Sequence, residues 1–368
     1  MVTLADIFRQ YGPQYREQYG ERMLPSHRRA MWAIEHCRTP ALGGHVYDCE
    51  ACDTTHYQYH SCRNRHCPQC QTLKGQQWLA QQQDLLLPVP YFMLTFTLPG
   101  ALREVVRQHQ HLLYTTLFRA SAAATQQLAA DPRFVGGQLG LVGVLHTWGR
   151  NLAYHPHVHY LVPAVGWTPE GQVVRPRRHN FLLPVKALSR IFRAKFREAV
   201  RATPVWAEIP VTVWQQEWVV HCQPVGNGLP ALKYLAPYIF RVAIGNHRIV
   251  KLAHDKVTFR YRATDTGTLK TCTLHVLEFI RRFLQHVLPK GFVKVRYYGF
   301  FSPGLRSRLA ALRAQLATAP PARATDEAAP APPVTAPRPK VRCPQCGQLM
   351  QLRASLPPQG RAPPLGTN

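Results

Sequence analysis

Apolar positions recur at helical spacing through the first 35 residues, with Leu4, Ile7 and Phe8 and then Met31, Trp32 and Ile34, which predicts helix there. Residues 39–71 lose that periodicity and are rich in Cys, His and Gly instead, a pattern for a small unit organised by bound metal rather than by an apolar core. A helix over residues 75–88 ends at Pro88. From Pro90 the pattern becomes strand-like: "YFMLTFTLP", "LGLVGVLHTWG" and "HVHYLVPAVG" read as strands. "LREVVRQHQHLLYTTLFRASAAATQQLAA" intervenes as one long helix or two, and residues 185–202 form an amphipathic helix after a basic, extended connection. "TVWQQEWVVHCQPV" reads as a strand region, "ALKYLAPYIFRVAI" as a helix containing a proline, and "IVKLAHDKVTFRYR" as a hairpin. Strands and helices mix without regular βαβ alternation, so the expectation is an α+β fold with a largely antiparallel sheet.

The expected division is a helical and metal-binding unit over residues 1–75, a main domain over 76–316, a Pro/Ala-rich linker over 317–340 and a short tail over 341–368. A length of 368 residues suits about two domains, and 46% hydrophobic content suits a chain with a sizeable core. The charge is unusual: 45 Lys and Arg face 19 Asp and Glu, a formal net charge of +26. Such a surplus points to a polyanionic partner, with nucleic acid foremost. No run of about 18 apolar residues is present to span a bilayer. "MVTLADIFRQYGPQY" lacks a charged-then-apolar leader pattern, so the expected location is the cytoplasm.

In that setting ten cysteines argue for thiolate metal ligands rather than disulfides. Cys49-x2-Cys52 and Cys67-x2-Cys70, separated by fourteen residues, have the spacing of a structural zinc site closed by four thiolates. Cys37, Cys62, His45, His56 and His66 are surplus ligand types, and Arg63, Arg65 and Lys74 make the same stretch a candidate DNA contact. In the tail, "CPQCG" supplies Cys343 and Cys346, half a zinc ribbon with no later Cys or His to complete it. Its role stays open, as a ligand pair used in trans or as a remnant. Cys222 and Cys272 stand alone and read as core thiols.

"HPHVHYLVPAV" raises a separate question. On a strand His157 and His159 emerge on one face while Val158 points to the other. The pair suits a metal site, a DNA-facing patch or a partly exposed strand. Downstream, "KYLAPYIF" places Tyr234 and Tyr238 four apart, on one face of a helix, with Lys233 and Arg241 beside them. Taken alone, that pair reads as an aromatic stripe against the core. Together, however, the histidines and tyrosines describe a nuclease. The imidazoles hold a divalent ion, Mg²⁺ or Mn²⁺, against a scissile phosphate, and a tyrosine hydroxyl attacks phosphorus to leave a 5′-phosphotyrosine and a free 3′-OH. A second tyrosine on the same helix permits two consecutive cleavages, and hence strand transfer without ATP.

An HxH strand followed by a two-tyrosine helix resembles the signature of the HUH endonuclease superfamily. The fuller text is similar to the rolling-circle insertion-sequence transposases of the IS-ninety-one type, on "GGHVYDCEAC", "SCRNRHCPQCQ", "FTLP", "HTWGRNLAYHPHVHYLVPAVG", "YLAPYIFRVAIGNHRI", "VRYYGFFSP" and "CPQCG". That resemblance runs from about residue 15 to 350. It implies a zinc-binding N-terminal domain and an HUH nuclease domain in which His157 and His159 hold the metal and Tyr234 and Tyr238 attack. It also implies a single-stranded, replicative route of movement. Pro237 between the tyrosines departs from the usual pattern, because proline removes a helical hydrogen bond and favours a kink. The third metal ligand is open, with His146 in "LHTWG" the first choice and His155 and Gln216 behind it.

Lys186, Arg190, Arg193, Arg197 and Arg201 recur every three or four residues along 185–202, a cationic stripe balanced by Glu198 alone, opposite an apolar side that includes Leu188, Ile191, Phe192, Ala199 and Val200. Arg190, Arg193, Arg197 and Lys233 are therefore the expected phosphate contacts, and Trp148, Trp167, Tyr297 and Tyr298 the aromatics available for stacking on bases or for the core. The expected partners are single-stranded DNA at element ends and target DNA. No GxxxxGK[ST] sequence is present, so no fused helicase is expected, which is compatible with the use of a host helicase or replication factors. Two other readings share parts of this pattern: a plasmid replication initiator or relaxase with the same chemistry, and a non-catalytic zinc-dependent DNA-binding regulator.

Overall fold

The computed structural model describes residues 2–70, 72–240, 243–263, 266–318, 341–360 and 362–363, without the side chains of residues 72–74, 237, 238, 240 and 306. The expected linker lies outside the described residues from 319 to 340. The chain opens with α1 (Leu4–Tyr19), started by a capping box in which the Thr3 hydroxyl accepts the Asp6 N–H and the Asp6 carboxylate accepts the Thr3 N–H. α2 (Pro25–Glu35) follows, then the hairpin β1 (Gly44–Cys49) and β2 (Thr54–Tyr59), and α3 (Thr72–Gln83). The main domain runs β3 (Tyr91–Thr97), α4 (Arg103–Gln108), α5 (Gln110–Ala129), β4 (Gln138–Leu139), β5 (Leu141–Trp148), β6 (Tyr154–Pro163), β7 (Gly166–Trp167), β8 (Val173–Val174), α6 (Val185–Arg201), β9 (Val220–Pro224) and α7 (Leu229–Phe240). It continues through β10 (Ile249–Ala253), β11 (Lys256–Arg262), β12 (Leu269–His275), α8 (Val276–Leu284), β13 (Val295–Tyr298) and α9 (Arg306–Thr318), and the tail adds β14 (Gln351–Leu356).

The architecture is α+β, with every described strand pair antiparallel. The helical stretch after β3 is two helices, broken at His109. The strand region expected across residues 212–225 is shorter: Val211–Trp214 is a 3-10 turn, and within this stretch Val220–Pro224 joins a sheet. Among the described residues no helix is long and apolar enough to cross a membrane.

The central sheet has the order β13-β5-β6-β3-β9. Side-chain alternation divides its two faces cleanly. Phe92, Leu94, Phe96, Leu145, Val158, Tyr160 and Val162 pack with α5 and, through Leu188, Phe192, Phe196 and Val200, with α6. Tyr91, Met93, Val142, Val144 and Leu161 pack on the other side with Leu232, Leu235 and Ile239 of α7 and Leu309, Leu312 and Leu316 of α9. The odd-numbered positions of β6, His157 and His159 among them, therefore belong to the α7 face.

Two packing relations depart from the division expected along the chain. Leu4, Ile7 and Phe8 of α1 share one core with Val257 and Phe259 of β11 and with Phe279, Ile280 and Phe283 of α8, and the Phe8 and Phe283 rings meet edge-on at 5.5 Å. Residue 75 is thus no packing boundary for these helices. The tail is not a separate piece either, because β14 pairs with β1 and completes a three-stranded sheet, β14-β1-β2.

At Gly143 of β5 the sheet permits no side chain. A Cβ there would lie 2.5 Å from Cε1 of Tyr160 and 3.1 Å from Cε1 of Phe118. The Tyr160 ring is anchored, since its hydroxyl donates to the Phe118 carbonyl at 3.0 Å and shares a hydrogen bond with Ser121 at 2.9 Å. Gly143→Ala should therefore destabilise the domain by about 1–3 kcal/mol. Chemical denaturation checks this, and an unchanged midpoint would show that the Tyr160 ring moves aside freely.

Candidate active site and metal centres

Register builds the histidine cluster. His146 of β5 stands directly opposite His157 of β6, and His159 stands opposite Val144 on one side and Thr95 of β3 on the other. One ring nitrogen from each of His146, His157 and His159 lies within 4.8 Å of the other two. The β5–β6 pairing shifts register between His146 and Trp148, and such irregularities re-aim side chains beside functional sites. His146 is buried, while the rims of His157 and His159 reach solvent with most of each ring surrounded by protein.

Burial holds all three imidazoles neutral. It brings His157 down to about 3, with the neighbouring His159 adding to the effect, and His159 down to about 4. It also keeps His146 well below the ordinary histidine range, with His159 and His157 as lesser causes. Neutral rings carry the lone pairs that a metal needs. His157 Nδ1 lies 2.6 Å from the His155 carbonyl, an acceptor only, so Nδ1 carries the proton and Nε2 keeps its lone pair. His159 Nδ1 sits 2.8 Å from the Thr95 hydroxyl, a hydrogen bond that orients that ring. The donor set fits a divalent ion and leaves further coordination positions to oxygen ligands.

Behind the cluster, the Trp148 ring stacks on His146 at 5.7 Å and 8° between planes. The buried Lys294 ammonium lies 4.6 Å from the Trp148 ring, and burial draws its pKa down to about 7. Trp148 and Trp167 are both buried, which places them in the core rather than on a base-stacking surface.

α7 lies over the histidine face. It begins where Asn227 Oδ1 accepts the Leu229 N–H at 3.1 Å, just after Gly228, whose φ of +81° and closeness to the Tyr91 ring leave no room for a Cβ. Ala231, Leu232, Leu235, Ala236 and Ile239 are buried, whereas Lys233 and Tyr234 are exposed, Tyr234 at 44%. The Tyr234 ring stands 6.4 Å from that of His159, in a cleft lined also by Thr95, Gln223 and Pro230. Tyr234 is therefore no part of a core stripe. The helix continues through Pro237 to Phe240, and the side chain of Tyr238 lies outside the described residues, as does Arg241.

The other ligand candidates are not in the cluster. His155 is outside the three-nitrogen group although its ring stands 5.2 Å from that of His157, and Gln216 lies beside α6, its carbonyl accepting from Arg193 at 2.7 Å. In α6 the cationic stripe runs along the side away from Leu188, Phe192, Phe196 and Val200. Arg190 is exposed, and Arg197 packs over Trp206 and Trp214 at 5.9 Å each. Ala199, assigned to the apolar side by its spacing, is exposed. α6 covers the sheet face opposite the histidines, and the edge strand β9 borders both, with Val220 beside Arg190 and Arg193 and Gln223 in the cleft.

The sulfur chemistry differs from the expected quartet. Cys49, Cys52, Cys67 and Cys70 do not converge. Cys67 and Cys70 gather with Cys37 and Cys62, and Cys49 and Cys52 gather with Cys343 and Cys346. Cys37 follows α2 directly, and Arg38 in a left-handed conformation (φ 61°) sends its N–H to the His60 carbonyl, bringing the Cys62 N–H to 3.5 Å from the Cys37 sulfur. The Cys62 and Cys70 sulfurs are 3.7 Å apart. Sharing of thiol protons, with Cys37 the strongest neighbour, holds Cys70 far below the ordinary thiol range and pushes Cys67 far above it. A cation relieves that competition by accepting all four as thiolates.

Of the surplus histidines, none of His45, His56 and His66 joins a cluster. His66 is buried and accepts the Leu288 N–H at 3.2 Å, and Arg65 donates to the Phe292 carbonyl at 2.6 Å, so both tie this segment to the main domain. Arg63 is exposed, and the Lys74 side chain is outside the described residues. Cys222 and Cys272 join neither quartet and are partly buried against the two large cores.

Two family models match this chain, one described as "Transposase zinc-binding domain" over residues 7–98 and one described as "Putative transposase" over residues 140–308. "Putative transposase y4qJ" of Sinorhizobium fredii is 41% identical over 328 residues, covering 84% of this chain and 82% of that protein. "Transposase for insertion sequence element IS801" of Pseudomonas savastanoi pv. phaseolicola is 29% identical over 287 residues, covering 72% of this chain and 68% of the relative. No solved structure matches. With a zinc-binding unit ahead of the histidine sheet and relatives alike over most of their length, the chain belongs to the insertion-sequence transposases of the IS-ninety-one type.

Proposed function

We propose that this transposase nicks and rejoins single-stranded DNA at the ends of its element through a 5′-phosphotyrosine, in a rolling-circle form of transposition. The observation that carries the reading is the exposed Tyr234 beside a cluster of three neutral imidazoles on adjacent strands. His146, His157 and His159 would hold Mg²⁺ or Mn²⁺, which would neutralise negative charge on the scissile phosphate's oxygens. The remaining work falls to the chain. The Tyr234 hydroxyl oxygen forms a bond to phosphorus, the bond from phosphorus to the 3′ oxygen breaks, and the phenol's proton ends on the departing 3′-OH. One phosphodiester is exchanged for another, so the strand is rejoined without an external energy source. Tyr238, one turn on, serves the second cleavage, with Lys233 as a phosphate contact beside the nucleophile. Zinc in the N-terminal unit is structural, and we assign it to Cys37, Cys62, Cys67 and Cys70, the quartet that lies wholly within residues 7–98. DNA leaving the cleft runs around β9 onto α6, where Arg190, Arg193 and Arg197 face phosphates.

The decisive experiment is incubation with single-stranded element ends and Mn²⁺, followed by a search for a covalent protein–DNA adduct. His157→Ala should abolish the adduct and spare most DNA binding. Tyr234→Phe and Tyr238→Phe should each leave some adduct but lose complete strand transfer, and the double variant should form none. Full adduct formation by the double variant overturns the nucleophile assignment, and binding without any adduct from the wild type returns the protein to a regulator.

The histidine shifts give a pH test. Protons compete with metal at His157 and His159 only near their folded values of about 3 and 4, so Mn²⁺ affinity read by calorimetry should change less than about twofold between pH 8 and pH 6. The same shifts make stability, full above pH 6.5, fall as pH drops toward 4, because the unfolded chain takes up protons that the folded rings refuse. Stability that rises on acidification across that window would contradict neutral imidazoles.

Salt dependence tests the α6 track. Replacing Arg190, Arg193 and Arg197 together with Ala should flatten the logarithmic salt slope of single-strand binding by about 2, at roughly 0.7 for each phosphate no longer neutralised. An unchanged slope makes α6 an ordinary solvated face.

A further inference from the structure

We infer that the chain carries a second structural zinc site, formed by Cys49 and Cys52 of the N-terminal hairpin with Cys343 and Cys346 of the tail, and that this ion latches the two ends of the protein together. The pairing is long-range, since the sulfurs of Cys52 and Cys343 are 3.4 Å apart across 291 residues of sequence, and those of Cys49 and Cys346 are 3.5 Å apart across 297. All four sulfurs lie within 4.8 Å of one another, and all four cysteines are free thiols. A tetrahedral zinc with bonds of about 2.3 Å sets its sulfurs roughly 3.8 Å apart, close to what is found here.

The surrounding backbone is shaped for thiolates. In "CPQCG" the Gln345 N–H donates to the Cys343 sulfur at 3.4 Å, and Gly347, at φ +76°, turns its N–H back to the Cys343 carbonyl at 2.9 Å. These contacts make a metal knuckle of the tail turn. The facing hairpin supplies its pair across the turn between β1 and β2, where Thr54 donates to Gln345 at 2.8 Å. The apolar packing beside the site is small, with Cys49, Cys343 and Met350 buried and Tyr47, Cys52 and Val341 packed against them. A core that small does not hold a terminal strand by itself, and a metal is the usual remedy. The β14–β1 pairing, from Gly44↔Leu356 to Asp48↔Gln351, runs outward from the site.

The inference goes beyond the proposed nuclease and stands independently of it, because its readouts are metal content and tail attachment. Elemental analysis of the full chain after exhaustive dialysis should give two zinc atoms per chain, and a Cys343→Ser/Cys346→Ser variant should give one. In that variant Cys49 and Cys52 should become open to alkylation while Cys62 and Cys70 stay protected, and hydrogen exchange at the β1 and β14 amides should rise at least tenfold. Retention of the remaining zinc and of DNA binding by the variant separates loss of the latch from unfolding. One zinc per chain in the wild type, two in the variant, iron in place of zinc, or Cys49 and Cys346 found as a disulfide would each overturn the proposal.

Discussion

The strand pairing of β5, β6 and β3 is the constraint on which the candidate site depends. Antiparallel pairing sets residues directly opposite one another, and alternation sends every second side chain to one face. Shifting β6 by a single residue would turn His157 and His159 into the α5–α6 core and bring Val158 and Tyr160 out onto the cleft side. The apolar interdigitation of Phe96, Val158, Tyr160 and Phe192 therefore holds the histidines in place as firmly as any direct contact. Chemistry on one face is maintained by packing on the other.

The same sheet separates two parts that resemble one surface in sequence. The α7 cleft holds Tyr234 against the histidines, whereas α6 carries its cationic stripe on the opposite side. Between them lies β9, an edge strand with residues lining both places. A strand of nucleic acid that used both would wrap this edge, a path suited to a flexible single strand and poorly suited to a stiff duplex.

Metal does for the hairpin and tail what hydrophobic burial does for the sheet. The Cys37, Cys62, Cys67 and Cys70 quartet sits at the edge of a real core, with Cys37 and Cys67 buried among α1, α2 and α8. There, His66 and Arg65 add hydrogen bonds to Leu288 and Phe292 across the molecule. The zinc-binding unit is in this way built into the rest of the protein, and its mutation is expected to be felt in the main domain.

By itself, the sequence determined the local and periodic features. The β6 alternation put His157 and His159 on one face, the 3.6-residue pattern placed Leu188, Phe192 and Val200 inward, and the excess of Lys and Arg pointed to a polyanion. These properties reside in neighbouring residues, so they survive reading one segment at a time. Tertiary structure alone decided the features that join distant segments. His146 joined the pair because β5 registers against β6, and Thr95 became an orienting partner because β3 registers on the other side, a role that nothing in "TFT" reveals. The cysteines divided as they did for the same reason. Spacing showed that Cys49 and Cys52 form one pair and Cys67 and Cys70 another, but a CxxC turn fixes two ligands only. Which other pair completes the tetrahedron depends on where the chain brings them, and here it brought Cys37 and Cys62 to one pair and the far tail to the other.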